Sequence, residues 1–135
     1  MKKEHETYMK VAKVFSENSY CERKKVGAVI VKGNNIISYG WNGTPTGEDN
    51  VCEVDGITKP NVIHAETNAI YKLAKSNENS DGAKIYTTLS PCFNCALAII
   101  QSGIKELYYL ELYNDGKVVD YLKEKGIKVE QILNI

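Results

Sequence analysis

The chain lacks any apolar run near the ~20 residues that a membrane-spanning helix needs, so no membrane span is expected. It lacks net charge, with 17 Lys+Arg against 17 Asp+Glu. A long polyanionic partner is thereby disfavoured, because nucleic-acid binding rests on phosphate neutralisation by excess cations. A single nucleotide remains admissible, since it needs only a local cation or two. The opening MKKEHETYMK is charged and carries no apolar signal-peptide core, which makes the cytoplasm the expected location. No internal repeat, low-complexity tract or linker is present, so residues 1–135 read as one domain. Histidine is scarce, at His5 and His64 alone, and the four cysteines are Cys21, Cys52, Cys92 and Cys95. In a reducing compartment those cysteines are expected as thiols or metal ligands rather than disulfides.

What is present is an ordinary globular balance of 43% hydrophobic and 25% charged residues. A chain of 135 residues can bury roughly two-thirds of its unfolded surface. Residues 4–19 predict a helix, with Tyr8, Val11, Ala12 and Phe15 on one face. VGAVIV (26–31) and IISYGW (36–41) predict a hairpin through KGNN. The stretch 43–61 holds Gly43, Pro45, Gly47, Gly56 and Pro60 and predicts a long irregular loop, of a kind that is usually functional. Helices are expected over 64–76, 90–102 and 115–125, and strands over 84–89, 106–112 and 127–132. That order implies an α/β fold: a mixed sheet with helices on both faces, its later strands parallel with right-handed crossovers.

Pro91-Cys92-Phe93-Asn94-Cys95 places a C-x-x-C at a predicted helix start. Residues three apart share a helical face, so both sulfurs can reach one ion, and the helix N-terminus favours thiolates. Two thiolates and one imidazole make a three-ligand zinc set with the fourth corner left for water. His64 is the obvious imidazole. Glu66 stands two residues on, pointing away from His64 in ideal helical geometry, and so is a poor co-ligand. At the first turn it can instead lean over the water and take its proton. C-x-x-C alone would also fit a redox pair or half of a structural zinc site. His64-Ala65-Glu66 has no role in the first, and the second normally needs a fourth protein ligand.

His-Ala-Glu followed by Pro-Cys-x-x-Cys is the signature of the zinc-dependent nucleoside and nucleotide deaminases. The chain resembles their deoxycytidylate (dCMP) deaminase family, bacteriophage and bacterial members in particular. The matching stretches are Cys21-x-Arg23-x-x-Val26-Gly27-Ala28-Val29-Ile30, Ile36-Ile37-Ser38-x-Gly40-Trp41-Asn42-Gly43-Thr44-Pro45, His64-Ala65-Glu66-x-Asn68-Ala69-Ile70 and Leu89-Ser90-Pro91-Cys92-x-x-Cys95-Ala96, continuing to Gln101-Ser102-Gly103-Ile104-Lys105. The resemblance implies a three-layer α/β/α sandwich around a five-stranded mixed sheet. It also implies Zn2+ as cofactor and hydrolysis of dCMP to dUMP and ammonia, feeding thymidylate synthesis. In that scheme zinc activates the water and Glu66 shuttles protons. For a phage-encoded member the location is the host cytoplasm.

The resemblance puts Asn42 on the substrate sugar; a turn residue beside Gly43 is the plainer account. Arg23 and Lys24, with Lys25, form the cation cluster nearest to hand for a 5′-phosphate, against the rival of a solvated basic face. Tyr113 is a candidate to stack on the pyrimidine, although with nine tyrosines ordinary packing also accounts for it. Many family members are homohexamers activated by dCTP and inhibited by dTTP through a Gly-Tyr-x-Gly loop. Here that loop reads Gly40-Trp41-Asn42-Gly43, so a phenol hydroxyl is absent and bulk is added. Some relatives bind a second zinc near the places of Cys21 and Cys52. Without the histidines of that site, these two are expected as buried free thiols. Two other functions stay open: deamination of a different small substrate (cytidine, dCTP, modified dCMP or a free base), and a zinc-stabilised nucleotide-binding protein without turnover.

Overall fold

The structure is a computed structural model that describes residues 2–133 and 135. In chain order the elements are α1 (Lys3–Ser16), β1 (Gly27–Lys32), β2 (Asn35–Trp41), β3 (Glu53–Val54), β4 (Ile57–Thr58), α2 (Ala65–Leu73), β5 (Lys84–Leu89), α3 (Phe93–Gln101), β6 (Glu106–Glu111), α4 (Lys117–Glu124) and β7 (Lys128–Gln131). Five strands form one sheet in the order β2-β1-β5-β6-β7. β1 runs antiparallel to both neighbours, whereas β5, β6 and β7 are parallel. The expected α/β sandwich around a five-stranded mixed sheet is therefore observed. No helix among the described residues is long and apolar enough to cross a membrane.

Period-two alternation divides the core between the two sheet faces. Ala28, Ile30, Ile85, Leu107 and Tyr109 point to one face and pack under Ala65 and Ala69 of α2, Ile99 of α3 and Leu122 of α4. Val29, Val31, Tyr86 and Tyr108 point to the other and pack under Met9 and Ala12 of α1. Both faces are covered, which is why VGAVIV reads as an unbroken apolar run rather than an alternating one.

Helices α1 and α2 lie so close to the first hairpin that only glycine fits at two positions. A Cβ on Gly27 would fall 2.1 Å from the Ala12 carbonyl oxygen, and one on Gly40 would fall 2.6 Å from that of Ala65 and 2.7 Å from the Ala69 nitrogen. Ser38 Oγ donates to the Ala69 carbonyl at 2.6 Å and ties α2 to the same strand.

Two expectations are corrected. The stretch 43–61 is not wholly irregular. Glu53–Val54 and Ile57–Thr58 pair antiparallel around Asp55 and Gly56, whose φ values of 53° and 77° are those of a tight two-residue hairpin turn. The strands are too short to show any alternation in sequence. Second, Cys21 and Cys52 are neither free thiols nor metal ligands but a disulfide. Their Cα atoms lie 5.2 Å apart, within bonding range. Both are buried, so the fold brings the sulfurs together and shields them from thiolate attack. Cys21, Cys52 and Glu53 lie close enough together to share an ion, but bonded sulfurs offer no thiolate, so a second metal site would need this disulfide reduced.

The Gly40 contact generates a stability prediction. Gly40→Ala must push α2 off the sheet, at a cost of about 1–3 kcal/mol for overpacking. Urea denaturation measures it, and an unchanged midpoint would refute the contact.

Candidate metal and active site

Helices α2 and α3 begin side by side on the same sheet face, and each begins with a ligand. His64 is the residue before α2, with φ −73° and ψ 156°, and Cys92 the residue before α3, with φ −72° and ψ 172°. Both were expected inside longer helices. Their extended backbone instead turns each side chain into the space between the two helix starts. Cys95, in the first turn of α3, comes up beneath them and is buried. The approach to His64 is held by a bridge between Gly43 and Ile63, with N–H···O distances of 3.0 and 2.7 Å.

His64 Nδ1 lies 3.5 Å from Cys92 Sγ and 3.3 Å from Cys95 Sγ. Zinc bonded tetrahedrally to sulfur at ~2.3 Å and nitrogen at ~2.0 Å needs an S···N separation of about 3.5 Å. The donor set and its spacing therefore fit zinc, with Nδ1 as the ligating nitrogen. The Cys92 thiol is pushed down to about 4, first by a hydrogen bond with Cys95 and then by His64. The Cys95 thiol is pushed up, by the same hydrogen bond and by burial. His64 is raised by its bond to Cys92. A bound dication displaces the Cys95 proton, because both sulfurs must ligate as thiolates.

Glu66, in the first turn of α2, is buried at 4% exposure. Burial pushes its carboxyl up to about 7, against the opposing pull of a backbone N–H and of His64. It faces an open cleft of about 230 Å³ whose walls include His64, Cys92, Glu66, Arg23, Lys24, Asn42 and Tyr113. With Cys21, which lines the same cleft, eight residues singled out in the sequence thus meet in one place, although they span 21 to 113 of the chain.

The Asn42 side chain is already engaged. Its Oδ1 accepts from Val26 N–H at 2.9 Å, and its Nδ2 donates to the Lys24 carbonyl at 2.8 Å. It braces the segment that carries the cations, with one lone pair and one N–H left over. Lys24 Nζ reaches Glu111 Oε2 at 2.5 Å as a half-exposed pair, of a kind worth at most about 1 kcal/mol. Tyr113 N–H donates to Ser90 Oγ at 2.7 Å, which joins the loops after β5 and β6 at the cleft edge.

Gly40 and Trp41 do not reach the cleft. Trp41 instead stacks in a ladder with Phe15 and Tyr39 at the sheet edge, and Lys72 Nζ sits 4.0 Å from the Tyr39 ring centre. Glu53, Thr58, Val62, Leu89 and Ser90 line the cleft without having been singled out. For the first two a signal existed: Val-Asp-Gly-Ile at 54–57 is a hairpin turn sequence.

The family model for the cytidine and deoxycytidylate deaminase zinc-binding region matches residues 2–111. The chain belongs to this family. Its relatives include the deoxycytidylate deaminase of Enterobacteria phage T4, 36% identical over 91% of this chain and 86% of that protein. ComE operon protein 2 of Bacillus subtilis (strain 168) is 38% identical over 93% of this chain and 69% of that protein. A solved dCMP deaminase from the cyanophage S-TIM5, in complex with dCMP and dUMP, is 47% identical with a TM-score of 0.93. It covers 98% of this chain and 99% of its own. Zinc is accordingly the cofactor of the family and of this donor set.

Metal analysis of the purified protein should find about one zinc per chain. In Cys95→Ser the zinc content should fall to background. Retention of full zinc there would place the metal elsewhere.

Proposed function

We propose that this chain catalyses the hydrolytic deamination of dCMP to dUMP and ammonia. One observation carries the reading: His64, Cys92, the buried Glu66 and the cations Arg23 and Lys24 all border a single small cleft, with Cys95 close enough to His64 and Cys92 to share an ion with them. Zinc, when bound, supplies a Lewis acid that lowers the pKa of a coordinated water towards ~7. Glu66 is placed to take a proton from the attacking water, and its carboxyl, pushed up to about 7 by burial, suits a group that must both accept and return it at neutral pH. The water oxygen bonds to C4 as Glu66 passes that proton to the pyrimidine N3, and the proton left on the new C4 hydroxyl travels through Glu66 to the departing amine. The C4–N bond breaks, a C4 carbonyl forms and ammonia leaves. Asn42 offers its spare N–H and lone pair to the sugar, and Tyr113 offers a ring face to the base. Arg23 and Lys24 hold the 5′-phosphate, Arg by a two-pronged contact.

We extend the proposal to a homohexamer in the cytoplasm that responds to dCTP and dTTP. In its support, the Gly40–Trp41 segment lies outside the cleft, so an effector bound there would not compete with substrate. The solvent-facing aromatic ladder at the edge strand β2 offers surface for a neighbouring copy.

Glu66→Gln should lose about 10²–10⁴-fold in kcat while zinc content stays at the wild-type level. Full activity in that variant would reject Glu66 as the proton carrier, and inactivity of the wild type on dCMP would reject the proposed reaction. Regulation is checked separately: dCTP is expected to raise the rate at low dCMP and dTTP to lower it, with a hexamer in light scattering. A monomer indifferent to both triphosphates would leave a deaminase without this control.

A further inference from the structure

An acid lines the corner of the cleft meant for an anion. Glu53, at the start of β3, lies with Arg23 and Lys24 along the same wall. A free carboxylate there would repel a phosphate. Glu53 is not free. Both its oxygens accept from Glu22 N–H at 3.2 Å, and Oε2 also accepts from Arg23 N–H at 3.1 Å. Its charge is thus spent on the backbone of the turn from which the two cations project. Across the mini-hairpin Glu53 pairs with Thr58, and Thr58 Oγ1 accepts from the Arg23 guanidinium at 3.3 Å. One rung of the hairpin therefore grips Arg23 at its root and at its tip. The disulfide anchors the same rung, joining Cys52, the residue before Glu53, to Cys21, two residues before Arg23.

We infer that Glu53 is a positioning residue for phosphate recognition: with Thr58 it aims Arg23 into the cleft and so sets the preference for a nucleotide over its nucleoside. The inference rests on the proposed dCMP reading and names the element that enforces its substrate class. The chemistry is preorganisation. Arg23 is exposed and long, so holding it in place costs side-chain entropy on binding unless the free protein has already restricted it. Hydrogen bonds from backbone N–H groups to a carboxylate are charge-assisted, and two such donors converge here, the Glu22 N–H shared between both oxygens.

The experiment is steady-state kinetics of the zinc-loaded enzyme on dCMP and on deoxycytidine, for the wild type, Glu53→Ala, Glu53→Gln and Thr58→Val. Glu53→Ala should raise KM for dCMP about tenfold or more, with kcat nearly kept. The ratio of the two kcat/KM values should then fall by about the same factor. Glu53→Gln, which keeps one acceptor oxygen, should recover part of that ratio. Thr58→Val spares the turn and loosens only the guanidinium, so a rise of a few-fold in the dCMP KM is expected; it decides the matter if Glu53→Ala does not fold. Equal losses on both substrates would reduce Glu53 to a structural role and overturn the inference. A lower KM for dCMP in Glu53→Ala would also overturn it, since Glu53 would then act by repelling phosphate. A wild type that turns over deoxycytidine as well as dCMP would overturn the phosphate reading itself, and that outcome is visible before any variant is made.

Discussion

The structure depends on one constraint: two helices must begin at the same point above the same sheet face. His64 and Cys92 are useful only because each is the last extended residue before its helix. One step further along and either side chain would turn with its helix, away from the shared space. The constraint is met by backbone, not by side-chain packing alone. Gly40 lets α2 settle directly on β2, Ser38 bonds to the Ala69 carbonyl, and the Gly43–Ile63 bridge delivers His64 to its position. The glycines and the serine that look incidental in sequence thus hold the metal ligands to their distances of 3.3 and 3.5 Å.

Electrostatics then separates the cleft into two ends. At the closed end, burial lifts Glu66 into the neutral range while hydrogen bonding draws Cys92 down to thiolate. At the open end, Arg23 and Lys24 stay solvated, and each is steered by a partner, Thr58 and Glu111 respectively. Dry surroundings strengthen the charge interactions that move protons. Wet surroundings let the cations exchange partners when an anion arrives. The same cleft thereby meets two needs that a uniform environment would set against each other.

Most of this was legible in the sequence, and the exceptions share a cause. The sheet and its helices follow from apolar periodicity, and the metal trio follows from residue chemistry that few other arrangements use. What escaped was set by contacts between residues far apart in sequence. The helix starts were expected one residue early at α2 and three residues early at α3, because His64 and Cys92 favour neither state on their own; the tertiary fold decides. Cys21 and Cys52 read as thiols from compartment reasoning, yet a fold that buries their Cα atoms 5.2 Å apart yields a bond instead. The hairpin beside Glu53 had a signal but the partners of its carboxylate did not, since the N–H groups that donate to it lie 30 and 31 residues earlier. The Asp55-Gly56 turn was visible and was outweighed by the glycines and prolines around it.

The two histidines show how burial, rather than residue type, assigns function. His5 is nearly inaccessible on the sheet-facing side of α1. Its Nδ1 sits 2.6 Å from the Tyr86 hydroxyl and its ring stacks on Tyr108 at 4.1 Å. Burial and the nearby Lys84 lower its pKa, which favours a neutral ring packed between its own helix backbone and the sheet. His64 has the same ring and the same scarcity in the chain, but its exposed edge meets two sulfurs. The face under α1 carries a buried polar cluster in which Tyr86 and Tyr108 are both raised by desolvation; it has hydrogen-bond partners and no opening. The opposite face has the opening, because two helix starts leave a gap that one continuous helix such as α1 closes. The candidate site in this fold lies on the face where α2 and α3 begin.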